Sequence, residues 1–183
     1  MLRSLTGLLR PFRLPGLPPV PAGLARLALA HPRLVPPFVR WRSASNGLGF
    51  VVARMLADSE RAPGAVLQRI GEEQGRALRA GLGYGADPLE CARAVALANR
   101  LYAIKATVKI GPGGEVRVQT PGCPWSRQEW WGPQPCGAFS RFEVGLVAGL
   151  NPAVRLHYAC KRTRGDACCV GEYTWARPSE RAP

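Results

Sequence analysis

Apolar residues change their spacing twice along this chain, and each change marks a different kind of element. After Pro63, Val66, Leu67, Ile70 and Leu78 recur at helical intervals, which predicts an amphipathic helix with proline in its first turn. Gly71 and Gly75 lie four apart on it, where another backbone can pack closely, and the Gly81–Gly85 segment ends it. Asp87-Pro88-Leu89-Glu90 then reads as a helix start: aspartate as N-cap, proline in the first turn, glutamate placed to reach back. That second helix runs through Ala92, Val95, Ala96 and Asn99 to about Tyr102, with Cys91 as a small buried thiol.

From residue 104 the period becomes two. Ile104, Ala106, Val108 and Ile110 alternate with Lys105, Thr107 and Lys109. Gly111-Pro112-Gly113-Gly114 is a turn, and Val116 and Val118 alternate with Arg117 and Gln119, which predicts a hairpin with one dry face. A loop with Cys123, Trp125, Trp130 and Trp131 follows. The helical period returns from about Cys136 to Leu150, burying Phe139, Val144, Leu146 and Val147, and Asn151-Pro152 stops it. Strands at 153–161 and 168–175, joined by a turn at Arg164-Gly165-Asp166, complete a second hairpin. The expected fold class is α+β: N-terminal helices, a mainly antiparallel sheet of two hairpins with an intervening helix, and a Cys-rich metal site.

The first third of the chain follows neither pattern for long. Residues 1–13 place Leu2, Leu5, Leu8, Leu9 and Phe12 on one helical face beside Arg3, Arg10 and Arg13, a pattern suited to docking on a partner, to a membrane interface or to organelle targeting. Residues 11–37 carry eight prolines, which reads as linker or extended wrapping segment. Residues 46–58 are apolar enough for a short helix. The expected division is a basic, Pro-rich arm at 1–44, a folded domain at 45–177 and a tail at 178–183. The 183 residues and 46% hydrophobic content allow one domain with a real core. Charge sharpens the division. The net charge is +13, yet residues 1–57 hold eight arginines and no acid, while from Asp58 onward 17 cations face 12 acids. The strong basicity therefore belongs to the arm, which favours a membrane surface or a protein complex as its partner. Nucleic acid is disfavoured, because no zinc finger, helix-turn-helix or RNA-binding signature stands in the folded part.

Cysteine changes the picture most. Cys123, Cys136, Cys160, Cys168 and Cys169 cluster near His157, and Cys136, His157, Cys160 and Cys169 read as C-x20-H-x2-C-x8-C. Three thiolates and an imidazole suit tetrahedral zinc. No convincing secretory signal precedes them, so a cytoplasmic chain, membrane-associated through its arm if at all, is expected, where clustered cysteines more often hold metal than disulfides. On an ideal strand His157 and Cys160 face opposite ways, so both reach one ion only if the strand ends, bends or bulges between them. Cys123 and Cys168 are alternative ligands, and an all-cysteine set admits an iron–sulfur cluster. Four protein ligands leave no open position, so the metal would be structural. Asp166 reads as a turn residue. Trp130, Trp131, Phe139 and Glu143 are the candidate lining of a ligand pocket, with Trp125 beside them.

Several of these residues form a known pattern. Leu67-x-x-Ile70-Gly71-x3-Gly75, Cys123-Pro124, Cys136 opening a helix with Gly145 and Gly149, Cys160, and Gly165-Asp166-x-x-Cys169 together resemble the 4-vinyl reductase domain family over about residues 60–175. The resemblance implies a small α+β domain that binds small, often hydrophobic molecules, with a structural zinc in the sensor members. By it Cys136, Cys160 and Cys169 match the family's cysteine ligands, and His157 stands where sensor members place a glutamate. Gly149-Leu150-Asn151-Pro152 through Arg162-Thr163-x-Gly165-Asp166-x-x-Cys169 is also similar, over a shorter span, to hydrolases that open an aminothiazoline carboxylate ring.

The expected function is thus a zinc-stabilised domain for a small apolar or aromatic molecule, with the basic arm as tether. Two alternatives stand beside it: an enzyme, either a hydrolase of a cyclic amidine-type substrate or a component of a pigment-pathway vinyl reductase, and a structural subunit that wraps a partner complex. Enzyme chemistry is the weaker reading. The chain has two histidines, His31 in the arm and His157 among the cysteines, no nucleophile–base arrangement, and no Gly-rich dinucleotide motif. A homodimer is compatible with the sequence, which does not specify the oligomeric state.

Overall fold

The computed structural model describes residues 61–101, 104–129 and 131–177, and two isolated positions, 31 and 36. Apart from those two positions the arm falls outside the described residues, as do the expected helix at 46–58, the tail and Trp130. Within them three helices pack on one sheet: α1 Pro63–Leu82, α2 Pro88–Leu101, β1 Lys105–Ile110, β2 Val116–Gly122, α3 Pro133–Leu150, β3 Val154–Cys160 and β4 Cys169–Trp175. All strand pairings are antiparallel and the order is β1-β2-β4-β3. The α+β class and the two hairpins with a helix between them are as the periodicities predict. Among the described residues no helix is long and apolar enough to cross a membrane.

Local chemistry accounts for the boundaries. The backbone N–H of Glu90 donates to Asp87 Oδ1 at 2.8 Å, satisfying one of the free donors at the start of α2. Helix α3 begins at Pro133, three residues before the expected start, because Pro133 and Pro135 both fall in the first turn, where proline is tolerated. Asn151 ends it twice over: its Oδ1 accepts from the Ala153 N–H, and its Nδ2 donates to the Gly85 carbonyl.

Two apolar clusters hold the layers together. The main core joins α2, α3 and the inner face of the sheet through Val95, Val118, Leu146, Val147, Leu150, Leu156 and Tyr173. A second, of Val66, Leu67, Ile70 and Phe142, joins α1 to the outer side of α3. The two helix backbones meet there at glycine. A Cβ on Gly71 or Gly75 would strike α3 backbone carbonyls, and one on Gly145 or Gly149 would strike those of Gln68 or Glu72. Helix α3 is thus clamped from behind, which leaves its opposite side to face the sheet. Cys91 is fully buried in the main core, and burial pushes its thiol up to about 12, so it is the inert packing residue its position predicts.

Candidate functional site

Strand parity decides which side chains meet α3. Directly opposed residues share a face of a sheet. Val118 opposes Gly171, Thr120 opposes Cys169, and Tyr158 opposes Gly171 from the other side, so these residues share the face beneath α3. His157 opposes Glu172, one position out of phase, and is exposed on the far face. A bulge does fall between Tyr158 and Cys160, but its effect is to set Cys160 opposite Val170, which shares the far face with Glu172. Cys168 belongs to that side too, where its Sγ accepts from Gln119 Nε2 at 3.4 Å.

The inner face and the first turns of α3 line a cavity of about 70 Å³. Its apolar wall is aromatic. A short 3₁₀ turn at Pro124–Arg127 carries Trp125, and Trp131 follows in the same loop. The ring of Trp125 lies 5.0 Å from that of Trp131 and 4.7 Å, edge to face, from Phe139 on α3. Phe139 faces this cavity half-buried, where the helical period had predicted a core position. Val95 of α2, Ile104 and Val118 close the floor.

The other end is polar. Glu143, one turn further along α3 than Phe139, is buried, and that burial pushes its carboxyl up to about 7 against the opposing pull of a hydrogen bond with Asn99 and the charge of Lys161. Lys161 is also buried, and its Nζ donates to Ser140 Oγ at 2.8 Å while lying 4.5 Å from the centre of the Tyr158 ring. The Ser140 hydroxyl in turn donates to the Cys136 carbonyl at 2.8 Å. Tyr173 lines the same end, and burial raises its phenol well above the ordinary value.

The loop between β3 and β4 aims Lys161 inward. Its backbone N–H donates to Asp166 Oδ2 at 2.6 Å, and Gly165 takes the left-handed conformation, φ 96°, that lets the chain turn back. The next N–H, of Arg162, points at Cys169 Sγ at 3.5 Å, and the Arg162 guanidinium donates to the carbonyls of Pro121 and Ala167. Gly165-Asp166-x-x-Cys169 is thus a loop-closing device, with Asp166 as the turn residue its position predicts.

The structure divides the expected metal ligands. Cys136 and Cys169, with the alternative Cys123, line the cavity; Cys160 and His157 do not. All six cysteines are free thiols. Burial raises the thiols of Cys123 and Cys169 above their ordinary value, which favours the neutral form over the thiolate a nucleophile needs. Among the described residues no group of three or more His, Cys, Asp or Glu side chains comes together to hold a metal. The set Cys136, His157, Cys160 and Cys169 does not fit one ion in this arrangement. Of the expected pocket residues, Trp131, Phe139 and Glu143 line the cavity. Lys161, Ser140 and Asn99 are lining residues that sequence reasoning missed; a lysine flanked by Cys160 and Arg162 carries no sign of burial.

Comparison with protein-family models and with curated proteins finds no match for the chain. Among solved structures it is similar to a trafficking protein particle complex subunit 3 from Naegleria fowleri covalently bound to palmitic acid, at 19% identity and a TM-score of 0.47, covering 70% of this chain and 90% of that one. A likeness at that score bears on neither site nor function.

Proposed function

We propose that the domain is a binding module for a small apolar or aromatic molecule, held between α3 and the inner face of the sheet. One observation carries the reading: a cavity with an aromatic wall at one end and a buried, hydrogen-bonded polar cluster at the other. That is the usual division of labour in small-molecule sites, apolar area for affinity and a few fixed polar groups for orientation. The size adds a condition. At about 70 Å³ the cavity is roughly half the ~150 Å³ that accommodates benzene. A ligand with a ring therefore needs this space to widen.

The resemblance to the 4-vinyl reductase domain family agrees with this reading, and no step of it uses zinc. Burial raises the thiols of Cys123 and Cys169, which argues against either as a nucleophile. The arm at 1–44, with seven arginines and no acid, fits a tether to a membrane surface or a larger assembly.

Titration with neutral aromatic alcohols of one and two rings, read by calorimetry, tests the proposal. Saturable binding to the wild type is expected, weakened at least tenfold by Cys136→Phe, which fills the cavity from the first turns of α3. No binding, or equal binding by a folded Cys136→Phe, would overturn it.

A further inference from the structure

The polar end of the cavity is not charge-balanced. Two cationic side chains line it, Lys161 and Arg162, against one carboxylate, Glu143. The two cations differ in kind. Arg162 is exposed and spends its guanidinium on the carbonyls of Pro121 and Ala167. Lys161 is 9% exposed, and the hydrogen bond its ammonium makes is to a neutral hydroxyl, Ser140 Oγ. A buried ammonium carries three donors and a large desolvation cost, which a hydroxyl and a ring face offset only in part. Helix α3 adds to the imbalance. Its first turns border the cavity at Cys136, and its N-cap, Gly132, offers no side-chain acceptor, so the positive end of an 18-residue helix adds to the field.

From this juxtaposition we infer that the ligand is an aromatic or apolar monocarboxylate, its carboxylate seated on Lys161 beside Ser140 and its apolar part against Trp125, Trp131 and Phe139. The inference rests on the binding function proposed above and names the ligand class. A neutral molecule would leave the buried ammonium as it is. A carboxylate gives it a full charge partner in a site shielded from water, where such a hydrogen bond is strongest. Glu143 does not occupy that role fully: it is engaged with Asn99, and burial favours its neutral form. A dianion would exceed the charge that one buried ammonium offers.

The test is a matched series on the full chain: phenylacetate, phenylacetamide and benzylphosphonate, with affinities by calorimetry. Phenylacetate is expected to bind at least tenfold more tightly than the amide. Lys161→Met should bring that ratio to about one, Lys161→Arg should keep most of it, and Arg164→Gln, at an exposed position outside the cavity, should leave it unchanged. Equal binding of acid and amide to the wild type overturns the inference while the binding function stands, and this comparison needs no variant to fold. Tighter binding of the phosphonate, or loss of the ratio in Arg164→Gln, also overturns it. If none of the three binds while the neutral alcohols do, the inference falls and the binding function stands; if the alcohols fail, the binding function itself falls.

Discussion

The two faces of the same four-stranded sheet have opposite characters. Beneath α3, Val118, Leu156, Tyr158, Gly171 and Tyr173 build a core and a cavity floor. On the other side Arg117 pairs with Glu172 at 3.1 Å in solvent, and His157 lies exposed opposite Glu172. Neighbours in sequence fall on different sides: Leu156 is buried and His157 exposed, and Cys169 lines the cavity while Cys168 hydrogen-bonds Gln119 on the far side. Spacing along a strand therefore does not measure proximity. Parity and register do, and here they send a plausible zinc set to both sides of one sheet.

The sharpest way to break this comparison is to truncate neighbours on opposite faces. Leu156→Ala should cost about 2–5 kcal/mol of stability, the range for emptying a core leucine site. His157→Ala should stay within about 0.5 kcal/mol, as solvated positions do. Urea denaturation measures both, and comparable losses would mean that His157 is held in a site the inner face does not contain.

Glu143 sharpens the inner side through pH. Its carboxyl is raised from 4.5 unfolded to about 7 folded, so between those values the native state holds more proton than the unfolded chain. Stability is then full below about pH 4.5 and falls as pH rises to about 7. The total is of order 3 kcal/mol, from 1.36 kcal/mol for each unit of difference. Glu143→Gln should flatten that part of the denaturant-midpoint profile. A profile unchanged by the substitution would place Glu143 in water.

The cysteines divide the same way. Cys160→Ser should cost under about 1 kcal/mol, because Cys160 lies outside the cavity that Cys136 and Cys169 line, whereas loss of a structural zinc site would unfold the domain. Elemental analysis of the purified chain accompanies that measurement. About one zinc per chain, lost in Cys160→Ser together with the fold, would contradict the division of the thiols between the two faces. The smallest effect belongs to Arg117→Ala, which removes an exposed ion pair and should change stability by no more than about 0.5 kcal/mol.

Much of the fold was legible because its signals are local. The change from helical to alternating spacing at residue 104, the Asp87 cap and the Asn151-Pro152 stop each act within a few residues. Part of the site was legible for the same reason: Trp131, Phe139 and Glu143 lie in the loop and on the helix whose periods are plain. What was not legible depends on register. Nothing local says that the bulge after Tyr158 sets Cys160 opposite Val170, or that the Asp166 turn directs Lys161 inward to Ser140, 21 positions earlier in the chain. The glycine contacts between α1 and α3 stand between these cases. The Gly71–Gly75 spacing announced a close approach, but only the packed structure names Gly145 and Gly149 as the partners.

Methyl NMR of the full chain titrated with benzyl alcohol tests the central claim most directly, because Val118 and Val170 sit on opposite faces of the sheet. The account predicts saturable shifts at Val95 and Val118, which line the cavity, with Val170 silent. Shifts at Val170 as large as those at Val118, or no saturable shift at either valine, would contradict it.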